Sequence, residues 1–235
     1  MLKINYLIIN GSSTQGLPFY VEVEELSAPN KSKKKNKFFE TQHANGLIVQ
    51  EIDAYEPIEK PYKLYLHGVD EKGLRQFKSF ITDRGTFTPS NENDLTYYFE
   101  DVEMEIKPID AVGGYEVEVN FICQPFGFEK EITEPLGNTI VNHTNAPMYP
   151  RIKITGLSAN QTYLKIGNQT MYFKEIQDVI YLECKHGFQD AWSSGGRKVN
   201  HEVKGDFFEI QPGTHSVTIG PGISSVEITK RWGWR

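Results

Sequence analysis

Tyr115-Glu116-Val117-Glu118-Val119-Asn120-Phe121 decides the fold class. Apolar and polar residues alternate through it without a break, the two-residue period of a strand with one buried and one wet face. Just upstream, Val102-Glu103-Met104-Glu105-Ile106 keeps the same period. Comparable runs predict further strands at 62–66, 97–99, 151–155, 162–166, 171–173, 179–184, 207–210, 215–219 and 226–230. These runs are short and divided by Gly, Asn, Pro and Ser, as in a sandwich or barrel. Gly167-Asn168, between two of them, predicts a tight hairpin. One stretch reads as helix. Asp70 caps 71–81, Leu74, Phe77 and Ile81 share one face, Arg84 suits the dipole near the end and Gly85 stops it.

The chain has 235 residues and 26.9 kDa, enough for one large domain or two ordinary ones. Hydrophobic residues make up 38% and charged residues 24%, which excludes a disordered composition. The longest apolar runs, at 6–9 and 179–182, fall far short of the ~18 residues of a helical membrane span, so no membrane insertion is expected. The opening MLKINYLIINGSS carries one Lys, a short apolar stretch and no small-residue cleavage site, unlike a signal peptide. Cys123 and Cys184 are far apart within strand-like runs and read as buried, reduced thiols of a protein assembled in a reducing cytoplasm.

Charge divides the chain. Residues 1–136 carry 14 basic and 23 acidic side chains, and residues 137–235 carry 11 and 8. The shift coincides with a Pro-, Gly- and Asn-rich stretch at 135–150, which predicts a domain 1–136 and a second domain 137–235. The one basic cluster, Lys31, Lys33, Lys34, Lys35 and Lys37, reads as a solvated loop tip or a charge-protected strand edge. A nucleic-acid grip would show a concentrated basic face, which is missing here.

No residue of the sequence stands out as catalytic, cofactor-binding or metal-ligating. If 101–106 and 115–121 pair antiparallel, Glu103, Glu105, Glu116 and Glu118 share one face, where a glycosidase would need two carboxyls ~5–9.5 Å apart beside a cleft. The same alternation makes an ordinary wet face or the acidic wall of a pore. His43, His67, His143, His186, His201 and His215 show no zinc spacing. Phosphate-cradling Gly motifs and a nucleophile elbow are missing, so no cofactor is expected. Trp192, in the loop-like run 190–196, is the best sugar platform; Trp232 and Trp234 suit packing against the other domain or a partner.

The order of features resembles the distal tail protein family of long-tailed (siphovirus) bacteriophages or prophages. The residues that carry it are Ile9-Asn10-Gly11, Gly16-Leu17, Asn45-Gly46-Leu47-Ile48, the helix, Tyr97-Tyr98-Phe99 and the run from Phe121 to Phe128. In the second half they are Asn142, Pro147 and Pro150 leading into Ile152-Lys153-Ile154-Thr155-Gly156, then Tyr181-Leu182-Glu183-Cys184, Gly205-Asp206-Phe207-Phe208, Gln211-Pro212-Gly213 and Lys230-Arg231-Trp232. His215, where the family commonly has Asn, and the basic 31–37 segment depart from it. The resemblance implies a mainly β protein of two sandwich-like domains: the first with a single covering helix and a belt-like extension, the second galectin-like. It further implies a non-enzymatic hub at the virion tail tip, closed into a homohexameric ring between the tail tube protein and baseplate, fibre or receptor-binding proteins. DNA would pass through the lumen without specific binding. The alternatives are a carbohydrate-binding module for host-wall glycans and a glycosidase.

Overall fold

The structure is a computed structural model that describes residues 5–28, 30–40, 46–109 and 113–235. His43 and Asn45 lie outside the described residues. Two compact units divide between Phe128 and Glu129.

The first unit contains β1 (Leu7–Ile9), β2 (Ser12–Ser13), β3 (Tyr20–Glu25), β4 (Lys34–Glu40), β5 (Leu47–Tyr55), β6 (Ile58–His67), α1 (Glu71–Phe80), β7 (Gly85–Pro89), β8 (Thr96–Pro108) and β9 (Gly114–Phe128). One antiparallel sheet runs β2-β1-β7-β8-β9-β6-β3, while β4 and β5 form a ladder of their own. The alternating stretches are the two longest strands, paired with Glu105 opposite Glu118 and Met104 opposite Val119. Val117, Val119 and Phe121 are at most 1% exposed, so the period predicted from sequence is the period of burial.

The core of this unit is aromatic. Phe87 stacks on Phe121 at 4.5 Å between ring centroids, Phe99 meets Phe121 at 5.0 Å, and Tyr62 closes on Phe87 at 5.8 Å. Helix α1 covers this sheet with Phe77, fully buried, and Ile81 at its C-cap. Asp70 caps it, its carboxylate accepting from Gly73 N at 2.8 Å. Asn10-Gly11 turns β1 into β2 with both residues at positive φ, +48° and +80°, as a type I′ turn requires. The Asn10 amide then bonds Thr86 N (2.8 Å) and Thr82 Oγ1 (2.9 Å). A Cβ on Gly85 would lie 2.2 Å from Asn10 Oδ1, so only glycine fits there.

The second unit contains β10 (Ile132–Pro135), β11 (Thr139–Asn142), β12 (Arg151–Gly156), β13 (Thr162–Ile166), β14 (Gln169–Phe173), β15 (Val179–Glu183), β16 (Asp190–Ser193), β17 (Val203–Lys204), β18 (Gly213–Ile219) and β19 (Ile223–Lys230). Two sheets, β10-β19-β12-β15-β16 and β11-β18-β13-β14-β17, close on one core that includes Ile152, Leu164, Phe173, Leu182, Phe208 and Ile228. Gly167, at φ +57°, opens the two-residue turn between β13 and β14. The polar run after Phe128 belongs to this unit, because β10 is an edge strand paired with β19.

One predicted strand is corrected. Residues 207–210 alternate in burial, with Phe208 and Ile210 in the core, yet form no ladder beyond the single bridge Met148–Ile210. Asn142 accounts for that loop. Its amide donates to Ala146 O (2.9 Å) and Ile210 O (2.8 Å), and its oxygen accepts from Thr144 N (3.0 Å) and Thr144 Oγ1 (2.7 Å). A buried side chain thus replaces the missing ladder.

Candidate interaction surfaces

The four carboxylates singled out by spacing do share the outer face of the first sheet. Lys107 Nζ lies 3.2 Å from Glu105 and 3.3 Å from Glu118, while Lys63 Nζ lies 3.4 Å from Glu116 and 3.6 Å from Glu24. Glu103 takes a 3.4 Å contact from the Asn120 amide. Hydrogen bonds to Glu105 and Glu118 raise the Lys107 ammonium above its ordinary value; the Tyr65 hydroxyl, ahead of Glu116, does the same for Lys63. An open groove beside them is lined by Glu103, Glu105 and Glu118 with Leu26, Tyr62 and Met104. Glu105 and Glu118 share the Lys107 ammonium and Glu116 meets that of Lys63, an arrangement unlike the apolar isolation that makes a general acid. This is an acidic, lysine-bridged wall.

The basic 31–37 segment is strand from Lys34 onward, where β4 pairs β5 with Phe38 opposite Val49 and Phe39 opposite Ile48. Because alternate residues point to opposite faces, one apolar pair lies on each side of the ladder. All four are exposed: Phe38 60%, Val49 46%, Phe39 47%, Ile48 49%. An isolated two-stranded ladder is marginal in water, and this one shows apolar groups on both faces. The sequence signal was present in Phe38-Phe39 and Ile48-Val49 flanking a central Gly46, but the neighbouring lysines obscured it.

Trp192 lies on strand β16, not in a loop. It stacks on Tyr181 (5.7 Å, 14° between planes), and the Arg151 guanidinium sits 5.2 Å from its ring centre. Those neighbours take up ring surface that a sugar platform would use. Trp232 is 5% exposed within the core of the second unit. Trp234 donates its indole N–H to Glu129 (2.6 Å), which also pairs with His143 (2.9 Å). His215 donates to Gln211 O at 2.7 Å, closing the Pro212-Gly213 turn and packing on Gly167. Cys123 and Cys184 are free and buried, and burial pushes both thiols up to about 12. Among the described residues no three His, Cys, Asp or Glu cluster as metal ligands, and no helix is long and apolar enough to cross a membrane.

No protein-family profile and no curated protein matches the sequence. Among solved structures, SPP1 Dit (gp 19.1) superposes with a TM-score of 0.75 over 99% of this chain and 100% of its own, at 15% identity. The fold is that of a phage distal tail protein. SPP1 Dit is described as a paradigm of the hub adsorption apparatus in Gram-positive-infecting phages. The Dit fold extends through both units, so the likeness is not confined to a common sandwich.

Proposed function

We propose that this chain is a structural, non-enzymatic hub of a siphophage tail tip, closing as a homohexameric ring between the tail tube and the baseplate or receptor-binding proteins. The observation that supports it most is the end-to-end match to SPP1 Dit in both units. A closed ring needs a heterologous contact, one surface of each copy meeting a different surface of the next. The β4–β5 ladder supplies the donor, exposing Phe38, Phe39, Ile48 and Val49 with the cations of Lys35 and Lys37. The outer edge of β3, unpaired among the described residues and bearing Glu22 and Glu24, is a complementary acceptor for strand addition. The acidic wall of the first unit lines part of the lumen, where like charge keeps passing DNA from sticking.

Light scattering tests this on the chain alone and mixed with its tail tube protein. Six copies of this chain, about 161 kDa alone and more with bound tube protein, are expected in at least one of the two, and F38S/F39S should abolish the particle. A chain that stays at 26.9 kDa in both refutes the ring.

A further inference from the structure

On the β11-β18-β13-β14-β17 sheet, Leu164, Ile166, Met171 and Phe173 enter the core, at 0–3% exposure. Strand alternation therefore turns Tyr163, Lys165, Thr170 and Tyr172 outward. The register sets Tyr163 opposite Tyr172, Lys165 opposite Thr170, and Tyr172 opposite Lys204. Lys174 follows two residues after Tyr172. Tyr172, 40% exposed, is thus surrounded by one tyrosine and three exposed lysines.

None of these three ammonium groups makes an ion pair among the described residues. The other sheet of the same sandwich behaves differently: Lys153 pairs with Glu227 (3.1 Å), Lys198 with Asp190 (2.8 Å), Lys230 with Glu134 and Arg231 with Glu183. On that sheet four cations are paired with carboxylates, while Arg151 lies against the Trp192 ring; the three lysines around Tyr172 have no such carboxylate. Tyr163 and Tyr172 meet at 6.3 Å with a 55° tilt, which makes a notch rather than a flat shelf.

We infer that this face binds an anionic glycan, a polymer of sugars or polyols joined by phosphodiesters. Tyrosine faces pack against the C–H side of a sugar or polyol, the ammonium groups neutralise flanking phosphates, and the Thr170 and Thr218 hydroxyls are placed to bond hydroxyls. Three cations interleaved with rings suit a sparsely charged polymer, whereas a nucleic-acid duplex calls for a denser basic face.

The experiment is thermophoresis of the full chain with lipid-free poly(glycerol phosphate) teichoic acid at low and physiological salt. Uncharged dextran and oligothymidylate serve as comparisons. Binding that weakens with salt is expected, with a loss of about tenfold or more for K165Q/K174Q/K204Q. Tyr172→Ala should lose severalfold while Tyr172→Phe binds normally, and Lys153→Gln, on the opposite sheet, should change nothing. The side chains are surface-exposed, and unchanged thermal melts establish that the variants fold. Absence of teichoic acid binding at low salt, full binding by the triple variant, or oligothymidylate bound as tightly overturns the inference. Single chains suffice, so failure here is independent of the ring measured by light scattering.

Discussion

Lys60 is fully buried, an uncommon place for a lysine, and replacing it with methionine should destabilise the first unit severely. Its ammonium lies 2.8 Å from Glu92, whose side chain is 12% exposed, and 4.4 Å from the centre of the Tyr97 ring. Glu92 also accepts the Tyr97 hydroxyl at 2.7 Å, so the carboxylate is held in place whether or not the lysine is there. Methionine preserves most of the aliphatic stem, so the loss is that of the pair: about 3–5 kcal/mol when one partner of a buried ion pair is removed. At roughly 4 °C per kcal/mol for a unit of this size, the midpoint should fall by about 12–20 °C. Calorimetry measures it. Trp192, Trp232 and Trp234 all lie in the second unit, so tryptophan fluorescence reports that unit separately. A second variant, K60M/E92Q, removes the stranded charge while a Gln carbonyl still accepts from Tyr97, and should regain at least half of the loss. A loss under about 1 kcal/mol for Lys60→Met, or a double variant no better than the single, would mean that Lys60 and Glu92 are not a coupled buried pair.

Asn142→Ala orphans the Thr144 N–H and takes one of two donors from the Ala146 and Ile210 carbonyls, and should cost about 2 kcal/mol in urea unfolding followed by tryptophan fluorescence. With both thiols raised to about 12 by burial, Cys123 and Cys184 should resist thiol reagents at pH 8 until the chain unfolds; fast labelling of native protein would contradict their burial. In the second unit, Lys198 and Asn200 hold the Asp190 carboxyl below its ordinary value. Around Glu129 burial acts upward, but the Trp234 and His143 hydrogen bonds outweigh it and the carboxyl is also lowered. Depressed carboxyls stabilise the fold above their unfolded values near 4, and that contribution disappears as pH falls through the folded ones. Acid titration by tryptophan fluorescence should therefore show the second unit weakening below about pH 4.5, and a rise in stability on acidification would reverse the sign.

The fold class was legible because its signals are local. The alternation in β8 and β9, the Gly167-Asn168 turn and the Asp70 cap each need only a few neighbouring residues, and each appears where those neighbours place it. Burial decided by distant partners was not legible. Lys60 shares the strand parity of the buried Tyr62, Leu64 and Leu66, but the Glu92 and Tyr97 that receive its charge come from other elements; Phe208 and Ile210 carry a strand period without a strand because Asn142 binds the loop. The surfaces followed the same division. Shared placement of Glu105 and Glu118 followed from alternation, but the lysines bridging them came from strand register. Trp192 was assigned to a loop because its Gly- and Ser-rich flank outweighed a four-residue strand.

Asn10 and Gly85 form a lock whose parts cannot drift separately. A larger residue at 85 would collide with the Asn10 amide, while a shorter one at 10 would leave Thr86 N and Thr82 without their bonds. Each position therefore sets which substitutions the other tolerates. Among descendants of this sequence the two should change together or not at all, giving a covariation signal between positions 75 residues apart along the chain but packed against each other in the fold.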